Sequence, residues 1–88
     1  MIEVNVTQEH IDDARDSSIP DRSTRNPVAR ATCEALSVEV GQFSTNVSIG
    51  SIKHESGKIT TLPDEALEKL RSWYQGTEIK PFSFTVDL

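Results

Sequence analysis

Hydrophobic and polar residues alternate at both ends of the chain. Residues 2–6 read Ile-Glu-Val-Asn-Val, and residues 82–88 read Phe-Ser-Phe-Thr-Val-Asp-Leu. A period of two is typical of a β-strand that buries one face. The sequence therefore predicts a first and a last strand, and we expect the two to be neighbours in a sheet.

A second region with a period of two extends from Ser37 to Leu62. Turn candidates interrupt it at residues 41–42, 50–51 and 55–58, and each of them contains a glycine. Short alternating segments separated by such turns are typical of antiparallel hairpins. The region therefore predicts a meander of three or four short strands.

Three segments carry the signals of helices. Thr7 is an N-cap candidate for a short first helix, and Asn26 followed by Pro27 is an N-cap and first-turn pair for a second one. The third helix is predicted to begin near Pro63 and to end at Gly76. Apolar residues recur at spacings of three and four in the second and third helices, which gives each a buried stripe.

These elements predict an α+β fold: a small antiparallel sheet of four to five strands with two main helices packed on one face. Residues 1–88 are expected to form a single domain, since 88 residues leave no room for a second. The stretch 15–26 contains almost no apolar residue and predicts a loop. The large aromatic residues of the C-terminal helix and strand are expected to lie in the core.

Charge and composition exclude several classes of protein. The chain has 14 acidic and 9 basic residues, a net charge of −5, which argues against general nucleic-acid binding. It contains neither a long apolar run nor a secretory signal, so we expect no membrane association. A single cysteine, Cys33, excludes an intramolecular disulfide and is consistent with a reducing cytoplasm.

The candidate site lies around the start of the second helix, where basic and polar residues cluster. Arginines are unusually dense there, whereas most basic residues elsewhere are lysines. Guanidinium groups bind phosphate and carboxylate with two parallel hydrogen bonds, and a helix N-terminus adds N–H donors. The residues predicted to bind an anion are Arg22, Ser23, Thr24, Arg25, Asn26 and Arg30.

A structural alternative exists for the same arginines. They could pair with nearby carboxylates on a solvated surface, which is the usual role of a charged segment. The acidic residues in question are Asp12, Asp13, Asp16 and Asp21.

The sequence gives little indication of catalysis or of a metal. Cys33, His10 and His54 are scattered and lack the spacing of a metal site. No nucleophile elbow, phosphate-binding loop or dinucleotide-binding motif occurs. We therefore predict no catalytic residue, no metal and no cofactor, and interpret Glu9, Asp12 and their neighbours as a charged helix face.

Four short sequence segments in this chain resemble segments of a known group of proteins. They are Val4-Asn5-Val6-Thr7-Gln8-Glu9-His10-Ile11, Asn26-Pro27-Val28-Ala29, Leu62-Pro63 and Pro81-Phe82-Ser83-Phe84. Their order resembles small proteins of unknown function encoded by bacteriophages and prophages. In that group a cysteine often occupies the position of Asn26. This chain has no thiol at that position, so any role of the thiol is absent here. The resemblance implies a phage or prophage origin.

These observations predict a phage-encoded, non-enzymatic binding protein that acts in the cytoplasm of the host bacterium. It would counteract a bacterial defence system by sequestering a phosphate-bearing nucleotide signal or by blocking a defence protein. The alternatives are a phage structural or assembly accessory and, second, a small enzyme acting on a nucleotide. The thin core and the alternating last strand also predict a homo-oligomer, at least a dimer.

Overall fold

The computed structural model describes residues 1–16 and 22–88. Within them the chain forms four helices and five strands. In chain order they are β1 (Ile2–Val6), α1 (Gln8–Asp16), α2 (Arg22–Arg25), α3 (Pro27–Ala35), β2 (Phe43–Asn46), β3 (Ser51–His54), β4 (Ile59–Thr61), α4 (Asp64–Tyr74) and β5 (Phe82–Val86).

The predicted α+β class with an antiparallel arrangement of strands is confirmed. The five strands are divided between two sheets, and the helices pack against them. One sheet pairs β1 with β5, as expected from their alternation, with Val4 opposite Phe84. The other is the meander β2-β3-β4, in which Thr45 lies opposite Ile52.

The alternation in β1 and β5 separates a buried face from a solvent face. Val4 and Phe84 are buried on the inner face of the pair. On the outer face the hydroxyl of Ser83 donates to the side-chain oxygen of Asn5 at 2.7 Å. The outer face is therefore polar, and the hydrophobic effect fixes the register of both strands.

Helix α3 connects the two sheets, because it packs against both β1 and β2 as well as α1. Six of its nine residues are buried, from Pro27 to Cys33. Most of the buried side chains are small, which lets the helix approach both sheets closely. The helix ends at Ala35, and two residues later Ser37 has a left-handed φ of 55°. The N–H of Val38 donates to the oxygen of Cys33 at 2.9 Å.

Two local predictions were wrong. Residues 38–40, which alternate like a strand, lie outside any strand, because the chain must reverse after α3 through turns at residues 36–37 and 40–41 before it enters β2. The predicted loop 15–26 contains the end of α1 and the whole of α2. Residues 17–21 of that predicted loop lie outside the described residues.

Helix α4 ends as the sequence predicts, at Gly76. The glycine has a φ of 84°, its N–H donates to the oxygen of Trp73, and the N–H of Thr77 donates to the oxygen of Ser72. This pair of hydrogen bonds is the Schellman arrangement that favours glycine. None of the described helices is long and apolar enough to cross a membrane.

Gly50 is the tightest point between the meander and α4. Its φ is 68°, its N–H donates to the oxygen of Asn46, and its own oxygen accepts from the N–H of Leu62, both at 2.8 Å. A Cβ atom at this position would lie 2.8 Å from Cδ2 of Leu67. Glycine is therefore required both by the backbone conformation and by the approach of α4.

Gly50→Ala should lower the free energy of unfolding by about 2–5 kcal/mol. The left-handed backbone accounts for about 1–2 kcal/mol and the crowding of Leu67 for about 1–3 kcal/mol. Urea denaturation measures the loss. Gly76→Ala is the control, since it has a similar φ of 84° and nothing within 4 Å of the added Cβ. Equal losses in the two variants would show that the contact with Leu67 is unimportant.

Candidate functional site

Asn26 lies at the junction of α2 and α3 and is fully buried. Its Oδ1 accepts a hydrogen bond from the backbone N–H of Ala29 at 2.9 Å, which caps α3. Its Nδ2 donates to the backbone oxygen of Ser23 at 3.1 Å. The Asn26 side chain therefore accepts from a free backbone N–H at the start of α3 and binds the backbone of α2 at the same time.

The same amide reaches two further elements. Nδ2 of Asn26 donates to Oγ1 of Thr45 on β2 at 2.7 Å and to the hydroxyl oxygen of Tyr74 on α4 at 3.3 Å. The hydroxyl of Thr45 in turn donates to the oxygen of Ser23 at 3.4 Å. We call Ser23, Asn26, Thr45 and Tyr74 the asparagine network. It ties α2, α3, β2 and α4 together through polar groups in the interior.

Arg25 and Arg30 come together beside this network. Nε of Arg30 donates to the backbone oxygen of Arg25 at 2.8 Å, so its guanidinium group folds back over the end of α2. Nε of Arg25 is buried and has no hydrogen-bond acceptor in the part of the chain that the structure describes. Both side chains are partly exposed. We call Ser23, Thr24, Arg25 and Arg30 the arginine corner.

Within residues 1–16 and 22–88, neither Arg25 nor Arg30 has a carboxylate partner. Of the four aspartates considered as partners, Asp12 forms an ion pair with Arg15, with 3.9 Å between the nitrogen and the oxygen. Asp21 and the side chain of Asp16 lie outside the described residues. In the described part of the chain, the structure therefore has a charge pair at Arg15 and none at Arg25 or Arg30, while the pairing of these two with Asp16 or Asp21 falls outside the description.

The structure divides the six predicted site residues into three groups. The arginine corner holds four of them on a partly exposed surface. Asn26 is in the interior, and residues 27–29 of the first turn of α3 are buried with it, so the start of α3 faces the core. Arg22 begins α2, and its side chain lies outside the description.

The sequence analysis did not predict that Thr45 and Tyr74 form hydrogen bonds with Asn26. Thr45 falls on the inward-facing positions of an alternating strand, and Tyr74 falls on the apolar stripe of α4. Both patterns favour a core position and say nothing about hydrogen bonding. The distances along the chain to Asn26, 19 and 48 residues, leave no local signal.

His10 completes a capping box at the start of α1. Oγ1 of Thr7 accepts from the backbone N–H of His10 at 3.3 Å, and the backbone N–H of Thr7 donates to Nδ1 of His10 at 2.9 Å. Glutamate or glutamine ordinarily takes this position. Because Nδ1 accepts, the ring proton is on Nε2, which donates to the carboxylate of Glu34 on α3. His10 therefore also joins α1 to α3.

Cys33 lies on the buried face of α3, beneath the turn that leads into β2. Burial raises the pKa of its thiol above the ordinary value, although the backbone N–H groups of Phe43, Gln42 and Gly41 act in the opposite direction. A raised pKa leaves less thiolate, which is the reactive form. This cysteine is therefore a packing residue.

The three residues that the sequence considers for a metal lie apart in the fold. Cys33 is in α3, His10 is held by Thr7 and Glu34, and Nδ1 of His54 lies 2.8 Å from Oγ of Ser56. Across residues 1–16 and 22–88, the structure has no group of three or more histidine, cysteine or acidic side chains arranged to hold a metal ion.

A shallow groove lies between the end of β1 and the start of β5. Its lining consists of polar and apolar side chains without an ionisable group: Asn5, Val6, Thr7, Gln8, Pro81, Phe82 and Ser83. The groove therefore offers contact area and hydrogen bonds, but no acid or base.

Comparison with known proteins gives no relative from which a function could be inferred. No family model, no curated protein and no solved structure matches this chain.

Asn26→Asp should destabilise the protein by more than about 2 kcal/mol at neutral pH, because it buries a charge and removes both N–H donors of the network. Aspartate caps a helix as well as asparagine does, so a role limited to capping would leave stability almost unchanged. Chemical denaturation separates the two outcomes. Asn46→Asp is the control, since Asn46 is exposed and also accepts from backbone N–H groups through Oδ1.

His10→Ala should lower the free energy of unfolding by about 1–2 kcal/mol, because the N–H of Thr7 and the carboxylate of Glu34 both lose a partner. His10→Gln should cost less, since glutamine accepts from the N–H of Thr7 in the ordinary capping box. Thermal denaturation by circular dichroism gives the order. If alanine and glutamine are equally destabilising, the bond between Thr7 and Nδ1 does not contribute.

Proposed function

We propose that this protein is a non-enzymatic binding protein that takes an anionic group at the arginine corner. The observation that carries the proposal is the state of Arg25. Its Nε–H is buried without an acceptor, and Nε of Arg30 donates to the backbone oxygen of the same residue at 2.8 Å. Neither arginine has a carboxylate partner in the described part of the chain, which favours an external anion.

The energetics support an oxygen ligand. A buried N–H that lacks an acceptor costs about 1–3 kcal/mol. Nε of Arg25 is closed to solvent in this structure, so an oxygen ligand would remove this cost only if the partly exposed side chain turned outward to present its N–H. Arginine side chains bind phosphate and carboxylate in a bidentate manner, and Arg30 loses little freedom on binding because it is already fixed.

The chemistry of the arginine corner supports binding rather than catalysis. Its side chains are two hydroxyls and two guanidinium groups. The corner contains no histidine, carboxylate, lysine or cysteine, the side chains that most often act as general acid or base. It does supply hydrogen-bond donors, which is what a phosphate or carboxylate requires.

The finer proposal concerns the biological setting. The resemblance to phage and prophage proteins supports an action inside an infected bacterium. There the ligand would be a phosphate-bearing nucleotide signal of a defence system, or an acidic surface of a defence protein. Either partner would carry the anionic oxygen atoms that the arginine corner requires, and its sequestration would counteract the defence without turnover.

Arg25→Gln should weaken anion binding roughly 10- to 150-fold, the loss expected for one charge-assisted hydrogen bond. The free energy of unfolding should not fall and should rise by up to about 3 kcal/mol, because the variant removes a buried N–H that has no acceptor. Titration calorimetry against inorganic phosphate, mono-, di- and cyclic nucleotides and polyglutamate measures the affinity. Binding should also weaken as salt is added, since the contact is ionic.

Lys53→Gln is the matched control, since it removes the same charge from an exposed position on β3. It should leave the affinity unchanged. Arg25→Lys keeps the charge but lacks the planar pair of donors, so it should bind less well than the parent protein. The proposal is wrong if no anion of the panel binds, or if Arg25→Gln and Lys53→Gln behave alike.

A further inference from the structure

The outer edge of β5 is open to another strand. Strand β5 pairs on one side with β1, and the sheet has no third strand among the described residues. Within the same part of the chain, no backbone hydrogen bond joins residues 82–86 to a turn, loop or helix. Directly after the strand, the hydroxyl of Thr60 on β4 donates to the backbone oxygen of Asp87 at 3.3 Å, so the edge is open only along residues 82–86. The backbone groups on that stretch are available to a partner strand.

This edge lacks the charges that commonly protect an exposed strand. The sequence from Pro81 to Val86 contains no charged residue, whereas β1 on the other side of the sheet contains Glu3. Natural proteins place lysine or other charges on edges to prevent pairing with another chain. The absence of a charge within β5 indicates an edge that tolerates a partner.

We propose that the partner is a second copy of this chain, whose β5 pairs antiparallel with the first about a two-fold axis at Phe84. The strand is self-complementary in this register. Phe82 of one copy lies opposite Val86 of the other, and Ser83 lies opposite Thr85. Aromatic residues opposite β-branched ones, and hydroxyls opposite hydroxyls, are favourable cross-strand pairs. The two-stranded sheets of the two copies then form one four-stranded sheet, and their inner faces lie on the same side of it.

The charges that flank the strand favour the same orientation. Lys80 precedes β5 and Asp87 follows it. In the antiparallel pair Lys80 of one copy and Asp87 of the other lie at the same end of the ladder, so each end carries opposite charges. A parallel pair would place lysine beside lysine. Phe82, which is only partly buried in one chain, would gain contacts at the new edge.

Sedimentation equilibrium and light scattering from about 1 μM to about 1 mM test the proposal through mass action. The parent protein should reach twice the chain mass of 9.8 kDa. Ser83→Lys combined with Thr85→Lys places like charges opposite each other twice and should raise the dimer Kd roughly tenfold. The matching variant with glutamate at both positions should also dimerise weakly. An equimolar mixture of the two variants should recover dimers of mixed composition, as measured by native mass spectrometry.

Glu3→Lys combined with Asn5→Lys is the control, since it adds lysines to the same face of the same sheet but on β1. It also removes the hydrogen bond between Asn5 and Ser83, as the β5 variants do. Its dimer Kd should match that of the parent protein. A parent protein that stays at 9.8 kDa throughout, or a dimer weakened equally by the two lysine variants, overturns the proposal.

Hydrogen exchange of the parent protein gives a readout that needs no variant. Amides of residues 82–86 should exchange more slowly as the concentration rises, while those of residues 2–6 should not change. If the protection falls on β1 alone, or on neither strand, the β5 pairing is wrong. Because these experiments measure mass and protection, they are independent of whether the arginine corner binds an anion.

Discussion

The buried amide of Asn26 is the interaction on which the arrangement of this protein depends. The side chain is inaccessible to solvent, and its hydrogen bonds reach α2, α3, β2 and α4. Apolar packing alone would leave the relative positions of these elements less determined, because it is not directional. A satisfied polar network has fixed partners at fixed distances, so it selects one arrangement among several that bury similar area.

The position of the arginine corner follows from that network. The oxygen of Ser23 accepts from both Asn26 and Thr45, so the four-residue helix α2 is fixed to β2. A helix this short is not stable by itself, because nucleation is costly and few backbone bonds form. The network therefore supplies the rigidity that keeps Arg25 and Arg30 adjacent. Rigid placement matters for a binding site, since it lowers the entropy lost when a ligand is bound.

Charge is distributed unevenly in this molecule. The chain as a whole carries −5, yet two arginines at the corner are linked by the bond from Nε of Arg30 to the backbone oxygen of Arg25. The anion site that we propose is therefore a local basic feature on an acidic protein, and the net negative charge favours a small anion over an extended polyanion as its ligand. The β5 edge, where we propose that a second copy pairs, is a separate feature whose strand carries no charge.

The sequence by itself determined the features that depend on near neighbours. The alternation of residues 2–6 and 82–86, the Asn26-Pro27 helix start and the stop before Gly76 are local patterns, and the structure has each of them. Tertiary structure alone decided that five strands form two sheets, that α2 is helical, that the last strand ends at Val86 rather than Leu88, and that residues 38–40 lie outside any strand. The same holds for the site. The sequence clusters the arginines, but Asn26 is drawn into the interior by Thr45 and Tyr74, which are distant along the chain. Such partners are brought together only by three-dimensional packing. The spacing of apolar residues along the chain therefore does not predict them.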